Sequence, residues 1–274
     1  MKKKIVFLLM FVSSLFLSAC SIDDIQEIYE IYKAVVTEIE KEELPQELTE
    51  IHDVPEGQAY IEVNGNIPYL EKDDIYLIEA YEETGSLDWL GRTTSAVALL
   101  GEDLYTYSER PNISSIHPSG WNQKFYTNIP NGALYNRSHL IARKFTYNDT
   151  PENLMTGTQY FNQIVMVQVE NYVEKYMKET GHHVKYRVTP VYEGNNLLAS
   201  AIYMEAYSIE DAGEGLQFNF YVPNRQPGIA INYADGSSYG PIGPLEEDQQ
   251  PEEWEFILCF SIYQLLSLVL MLKS

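Results

Sequence analysis

The chain has 274 residues, with 40 Asp and Glu against 18 Lys and Arg and a formal charge of −22. Apolar residues at 45% and charged residues at 21% permit a packed core and exclude wholesale disorder. The acidic balance argues against a protein that coats nucleic acid with its whole surface, and two cysteines, Cys20 and Cys259, exclude a disulfide scaffold or a Cys-rich zinc module.

Three lysines at positions 2–4 precede an apolar run from Ile5 to Leu17, broken only by Ser13 and Ser14. A basic start followed by a short apolar stretch reads as a secretory signal, too short for a comfortable membrane span. It closes on Leu17-Ser18-Ala19-Cys20, which resembles a bacterial lipobox, so residues 1–19 are expected to be removed and Cys20 to carry lipid. The plainer alternative is an ordinary signal peptide with a chance cysteine. Removing residues 1–19 takes away three lysines and no carboxylate, leaving −25. Multiple acyl chains anchor firmly, which implies a position on the extracytoplasmic face of the cell membrane.

Residues 20–55 read as an acidic helical spacer. Ten carboxylates fall between positions 21 and 50, with Ile22, Ile25, Ile28, Tyr29, Tyr32, Val35 and Val36 at near-helical spacing up to Pro45. A globular domain is expected over 56–245. Its strand signals are Tyr60–Val63 before an Asn64-Gly65-Asn66 turn, then His183–Val191, Leu197–Ser208 and Gln217–Val222. Between them the apolar stripe Phe161, Ile164, Val165, Val169, Tyr172, Val173, Tyr176 and Met177 predicts a helix over Gln159–Thr180, capped by Gly181. A helix feeding a meander implies an antiparallel sheet in an α+β domain. Residues 246–274 form an acidic linker and an apolar tail, Phe256–Leu272. That tail is open to three readings: a second membrane contact, a buried terminal helix or an altered reading frame.

Charge is unevenly spread. From Arg110 to Asn148, 39 consecutive residues contain no Asp or Glu where the chain average would give about six. The stretch holds Arg110, Lys124, Arg137, Arg143 and Lys144 with His117 and His139, so a locally basic surface suited to phosphate is expected within an acidic chain.

At its centre stands Asn136-Arg137-Ser138-His139. Asn153-Leu154-Met155-Thr156-Gly157-Thr158, Phe161-Asn162 and Glu170 follow in order. Together with Pro118-Ser119-Gly120-Trp121 and the Tyr186–Pro190 strand, these resemble the DNA/RNA non-specific endonucleases, the ββα-metal nucleases that include bacterial DNA-entry nucleases. The likeness runs from about Tyr60 to Ala234. Asn136 and Ser138 depart from the family's Asp-Arg-Gly-His form, and the tail after Phe256 does not look like the family's usual ending.

The resemblance implies a ββα-metal nuclease core with a central antiparallel β-sheet flanked by helices. It implies hydrolysis of DNA and RNA phosphodiesters, without sugar preference and leaving 5′-phosphate ends, through a histidine base and one Mg²⁺, with Mn²⁺ as the alternative ion. His139 would be the general base, because imidazole titrates nearest neutral pH. Asn162 would be the direct metal ligand, since a neutral amide oxygen suits a hard cation that binds few protein groups. Glu170, eight residues on, would hold water on the ion, with Glu174 a competing candidate. Arg137 and Asn153 would contact the scissile phosphate, and Arg110, Lys124, Arg143 and Lys144 the nucleic-acid backbone. His182 and His183 look like a zinc pair, but strand neighbours point to opposite faces and would not share one ion. The expected partners are DNA and RNA, and the membrane through the N-terminal lipid. The competing functions are a catalytically inactive nucleic-acid-binding surface lipoprotein and an acidic solute-binding lipoprotein.

Overall fold

The structure, a computed structural model, describes residues 46–70, 79–104, 109 and 111–242. The expected signal, lipidated Cys20, most of the spacer, Arg110 and the tail lie outside the described residues. Contacts divide the chain into a unit Met1–Glu47 and a unit that begins at Leu48. Everything below concerns the second.

Its elements are β1 (Ile61–Glu62), β2 (Tyr81–Thr84), β3 (Ala96–Leu100), β4 (Tyr135–His139), α1 (Arg143–Thr146), β5 (Leu154–Thr158), a π-helical turn (Phe161–Met166) leading into α2 (Val167–Thr180), β6 (Val184–Val191), β7 (Ala201–Ser208), β8 (Gln217–Pro223), β9 (Ala230–Ile231) and β10 (Ser238–Tyr239). Six strands form one antiparallel sheet in the order β1-β8-β7-β6-β3-β2, while β4 and β5 pair as a separate ribbon. This is the expected α+β architecture. The expected meander is β6, β7 and β8, and Gly181 ends α2 in the left-handed conformation at φ 72°.

Strand alternation explains how the sheet is sandwiched. On one face Val184, Tyr186 and Val188 of β6, Ile202, Met204 and Ala206 of β7, and Phe218, Phe220 and Val222 of β8 pack with Val165, Val169, Val173 and Met177 of the helix. The other face carries Lys185, Arg187, Thr189, Tyr203, Glu205 and Asn219. Such alternation ordinarily marks a solvated face. Here the face is buried, because residues 48–70 run across it as a strap. Leu48 is fully buried. His52 Nε2 pairs with the Tyr203 hydroxyl at 2.8 Å. The Tyr69 amide donates to Glu205 at 2.6 Å, and the Asn219 side chain donates to the Ile67 carbonyl at 3.0 Å. The compact fold therefore starts at Leu48, ahead of the expected residue 56.

At the centre of this polar layer Arg187 Nε donates to Glu205 at 2.7 Å, with both side chains almost wholly shielded from solvent. Breaking such a pair from one side strands a buried charge. Glu205→Ala is therefore expected to lower unfolding stability by about 3–5 kcal/mol, measured by denaturant titration. Replacing both partners together, as Arg187→Met with Glu205→Leu, should recover most of that loss.

Candidate active site

The ribbon and the helix that follows it build the site. β4 and β5 are in register with Asn136 opposite Gly157 and His139 opposite Leu154. A Cβ at Gly157 would stand 2.1 Å from Ser138 Oγ and 2.8 Å from the Phe161 ring, so the serine in the motif fits only because its diagonal neighbour on β5 has no side chain. Phe161 in turn is fully buried and opens the π-helical turn. This turn settles the relation of Asn162 to Glu170. Eight residues of regular α-helix overshoot two turns by roughly 80°. The wider π winding removes part of that overshoot, and both side chains line one cleft.

That cleft, of about 390 Å³, is bounded by β4 on one side and by the helix on the other. His139, Arg137, Arg143, Asn136, Asn162 and Glu170 all contribute to its wall. His139 Nε2 lies 2.9 Å from Asp149 Oδ1, and the other carboxylate oxygen accepts from Arg143 Nε at 2.8 Å. Burial pushes the Asp149 carboxyl upward, but the hydrogen bonds from Arg143 and His139 and their charges outweigh it and hold it below the ordinary range. An ionised carboxylate only accepts, so Nε2 carries the proton and the lone pair of a neutral ring lies on Nδ1. Asp149 is the partner of His139 that sequence reasoning did not name. A signal was available, since it is the first carboxylate after the acid-free stretch, ten residues past His139.

Glu170 is only 8% exposed. Burial pushes its carboxyl up to about 7, with Lys144 opposing and Glu174 adding to the rise. Glu174 itself pairs with Lys144 at 3.0 Å and Lys178 at 2.5 Å and does not line the cleft, so of the two candidates Glu170 is the one placed there.

The other expected residues separate into groups. Arg137 reaches the cleft, but its guanidinium lies over the Trp121 ring at 4.2 Å and donates to the carbonyls of Ile116 and Ser114, both at 2.5 Å. It holds the 114–121 loop against the ribbon. Asn153 needs correction. Its side chain is buried, accepts from the Ile141 amide at 2.9 Å and donates to the carbonyls of Ile141 and Asn148 at 3.0 Å. Both amide protons are thereby committed to staple the 139–153 excursion, and the expected phosphate contact is not available to it. Lys144 bonds to Asn171 and Glu174 on α2. Lys124 donates to the Ser238 carbonyl and stands outside the cleft wall. His182 and His183 take different partners, Tyr176 and Glu210.

Comparison with known proteins follows the same geometry. A family model described as DNA/RNA non-specific endonuclease matches residues 73–210, half of the chain. A crystal structure of NucA from Streptococcus agalactiae with magnesium bound is 28% identical with a TM-score of 0.59, and the match covers 66% of this chain and 88% of that one. The same protein with no metal bound gives 29%, 0.58, 66% and 87%. The Sda1 nuclease structure with a bound zinc ion is 24% identical with a TM-score of 0.54 and shares the fold, over 66% of this chain and 96% of that one.

The close approach at Gly157 makes a direct test of the ribbon's packing. Gly157→Ala is expected to cost about 1–3 kcal/mol by overpacking, seen as a lowered melting midpoint. Adding Ser138→Gly should restore part of it, with the clash against Phe161 remaining.

Proposed function

Because the chain belongs to the DNA/RNA non-specific endonuclease family, and is on that ground a nuclease, we propose that it hydrolyses DNA and RNA phosphodiesters with His139 as general base beside one divalent cation. The observation that carries this reading is a single cleft walled by His139, Asn162 and Glu170.

The donor set supports a hard cation. Among the described residues no group of three or more His, Cys, Asp or Glu could hold a metal ion, which argues against a thiolate- or imidazole-rich centre. A lone amide oxygen with one buried carboxylate suits Mg²⁺, which keeps most of its own waters. The upward push on Glu170 fits as well: a buried carboxylate without a cation is costly, and a nearby positive charge would favour its ionised form. Asn162 would bind the ion directly and Glu170 through water. When bound, the ion would offset the charge that develops on the phosphate. The magnesium-bound NucA structure, at 28% identity, favours the same ion here.

The remaining steps belong to the chain itself. His139 Nδ1 takes the proton of an attacking water, and the imidazolium so formed is stabilised by Asp149 at Nε2. Arg143 fixes that carboxylate from its other oxygen, so the ring is oriented before substrate arrives. The cleft-facing guanidiniums of Arg137 and Arg143 favour a phosphate, and their contacts would read backbone rather than bases. Asn136 adds a neutral amide to the same wall. Contacts by Arg110, Lys124 and Lys144 to more distant phosphates belong to the same proposal. We place the protein outside the cytoplasmic membrane, tethered through lipid on Cys20, on the strength of the lipobox-like Leu17–Cys20 segment.

Purified protein is expected to nick plasmid DNA in Mg²⁺, to stop in EDTA and to resume when Mg²⁺ is restored. His139→Ala should lose at least roughly 10²-fold in kcat, and full activity in that variant would overturn the assignment. Asp149→Ala should reduce kcat with little change in KM, as expected of a residue that acts through His139. Metabolic labelling with palmitate should mark the wild-type chain and not Cys20→Ser; equal labelling of both would remove the anchor from the proposal.

A further inference from the structure

Residues 123–126 run antiparallel to 132–135 and extend the ribbon outward from the cleft. The Gln123 side chain clasps the backbone of Tyr135, donating to its carbonyl at 2.7 Å and accepting from its amide at 2.9 Å. The Leu134 amide donates to Lys124 at 3.0 Å, the Tyr126 amide donates to Gly132 at 2.8 Å, and Phe125 bridges to Ala133. The loop between the two arms is anchored from below, with Tyr126, Ile129 and Leu134 buried in a second apolar cluster. The hairpin is therefore rigid at its base.

On this rigid base stands an exposed apolar ring. Phe125 is 71% exposed, and beneath it lies Gly132, where a Cβ would meet the ring edge at 3.6 Å. Alternation decides which way it faces. Lys124 and Tyr126 turn to one side, where both bond to Ser238. Phe125 turns to the other, the side of Gln123, whose side chain lines the cleft. Two extended residues separate them, roughly 7 Å.

We infer that Phe125 is a stacking platform for an unpaired nucleobase on the strand leaving the cleft, a binding subsite beyond the phosphate-binding wall. This deepens the nuclease reading and rests on it. The occupant follows from chemistry and continuity. A polymer whose phosphate sits between Arg143 and Asn162 must lead out past the cleft rim, and Gln123 lines the cleft with Phe125 two residues beyond it on the same side. A phenyl face stacks on any base and reads none, which agrees with low sequence preference. Bases within a duplex are already stacked on their neighbours, so the platform favours single strands or frayed ends.

The test uses full-length protein carrying His139→Ala, so that substrate survives, and a short single-stranded oligothymidylate read by fluorescence anisotropy. Phe125→Ala should weaken binding roughly 5- to 100-fold, while Phe125→Trp should retain it and neither change should shift the melting midpoint. Moving one abasic position along the oligonucleotide should reveal a site where loss of the base weakens binding to the Phe125 protein but not to the Phe125→Ala protein. Plasmid nicking by the wild type is scored alongside. Nicking with unchanged affinity in Phe125→Ala, or with identical abasic scans for the two proteins, overturns the subsite alone. Absence of nicking by the wild type overturns the nuclease reading and takes the subsite with it.

Discussion

The hydrogen bond between His139 and Asp149 is the contact on which the proposed chemistry depends. It fixes the plane of the ring and makes Nε2 the protonated nitrogen. Asp149 is held in turn by Arg143 on its second oxygen. The 139–153 excursion that brings His139 and Asp149 together is closed by Asn153, whose side chain ties Ile141 and Asn148 into one loop. A residue without chemistry of its own thus sets the geometry of one that has it. Its burial explains why an asparagine, with two donors and an acceptor on a short side chain, is the residue that fits there.

The net charge of −22 is ill matched to a polyanionic substrate. The match is made locally. Exposed charges beyond roughly 8–10 Å are largely screened at physiological salt, so what a phosphate meets is the cleft wall. That wall presents Arg137 and Arg143, and its one lining carboxylate, Glu170, is driven toward its neutral form by burial. The acid-free stretch from Arg110 to Asn148 is the sequence signature of this arrangement. The first acid after it, Asp149, is paired with the Arg143 guanidinium and hydrogen-bonded to the His139 ring.

Regular periodicity made much of the fold legible. The strands β6, β7 and β8 and the apolar stripe of α2 follow from alternation and helical spacing, and the order of the motifs brings His139, Asn162 and Glu170 to one cleft. Three features were not legible for physical reasons. The π-helical turn depends on how Phe161 seats against Gly157, a tertiary contact that leaves the local spacing looking like ordinary helix. The strap over 48–70 is irregular backbone held by side chain-to-backbone bonds, which give no period to detect. The resemblance implies a phosphate contact for Asn153, whereas its surroundings in space leave no amide proton for one.

The departure at Ser138 is part of a matched set. A hydroxymethyl group at position 138 points into the space above β5, and only glycine at 157 leaves room for it. The same glycine gives room to Phe161, the first residue of the turn that presents Asn162. Serine in the motif, glycine on the partner strand and the phenylalanine of the helix therefore constrain one another across three elements. Asparagine at 136 is a neutral amide in the cleft wall that His139, Asn162 and Glu170 also line. The three-way packing of Ser138, Gly157 and Phe161 therefore joins the strand that carries His139 to the turn that carries Asn162.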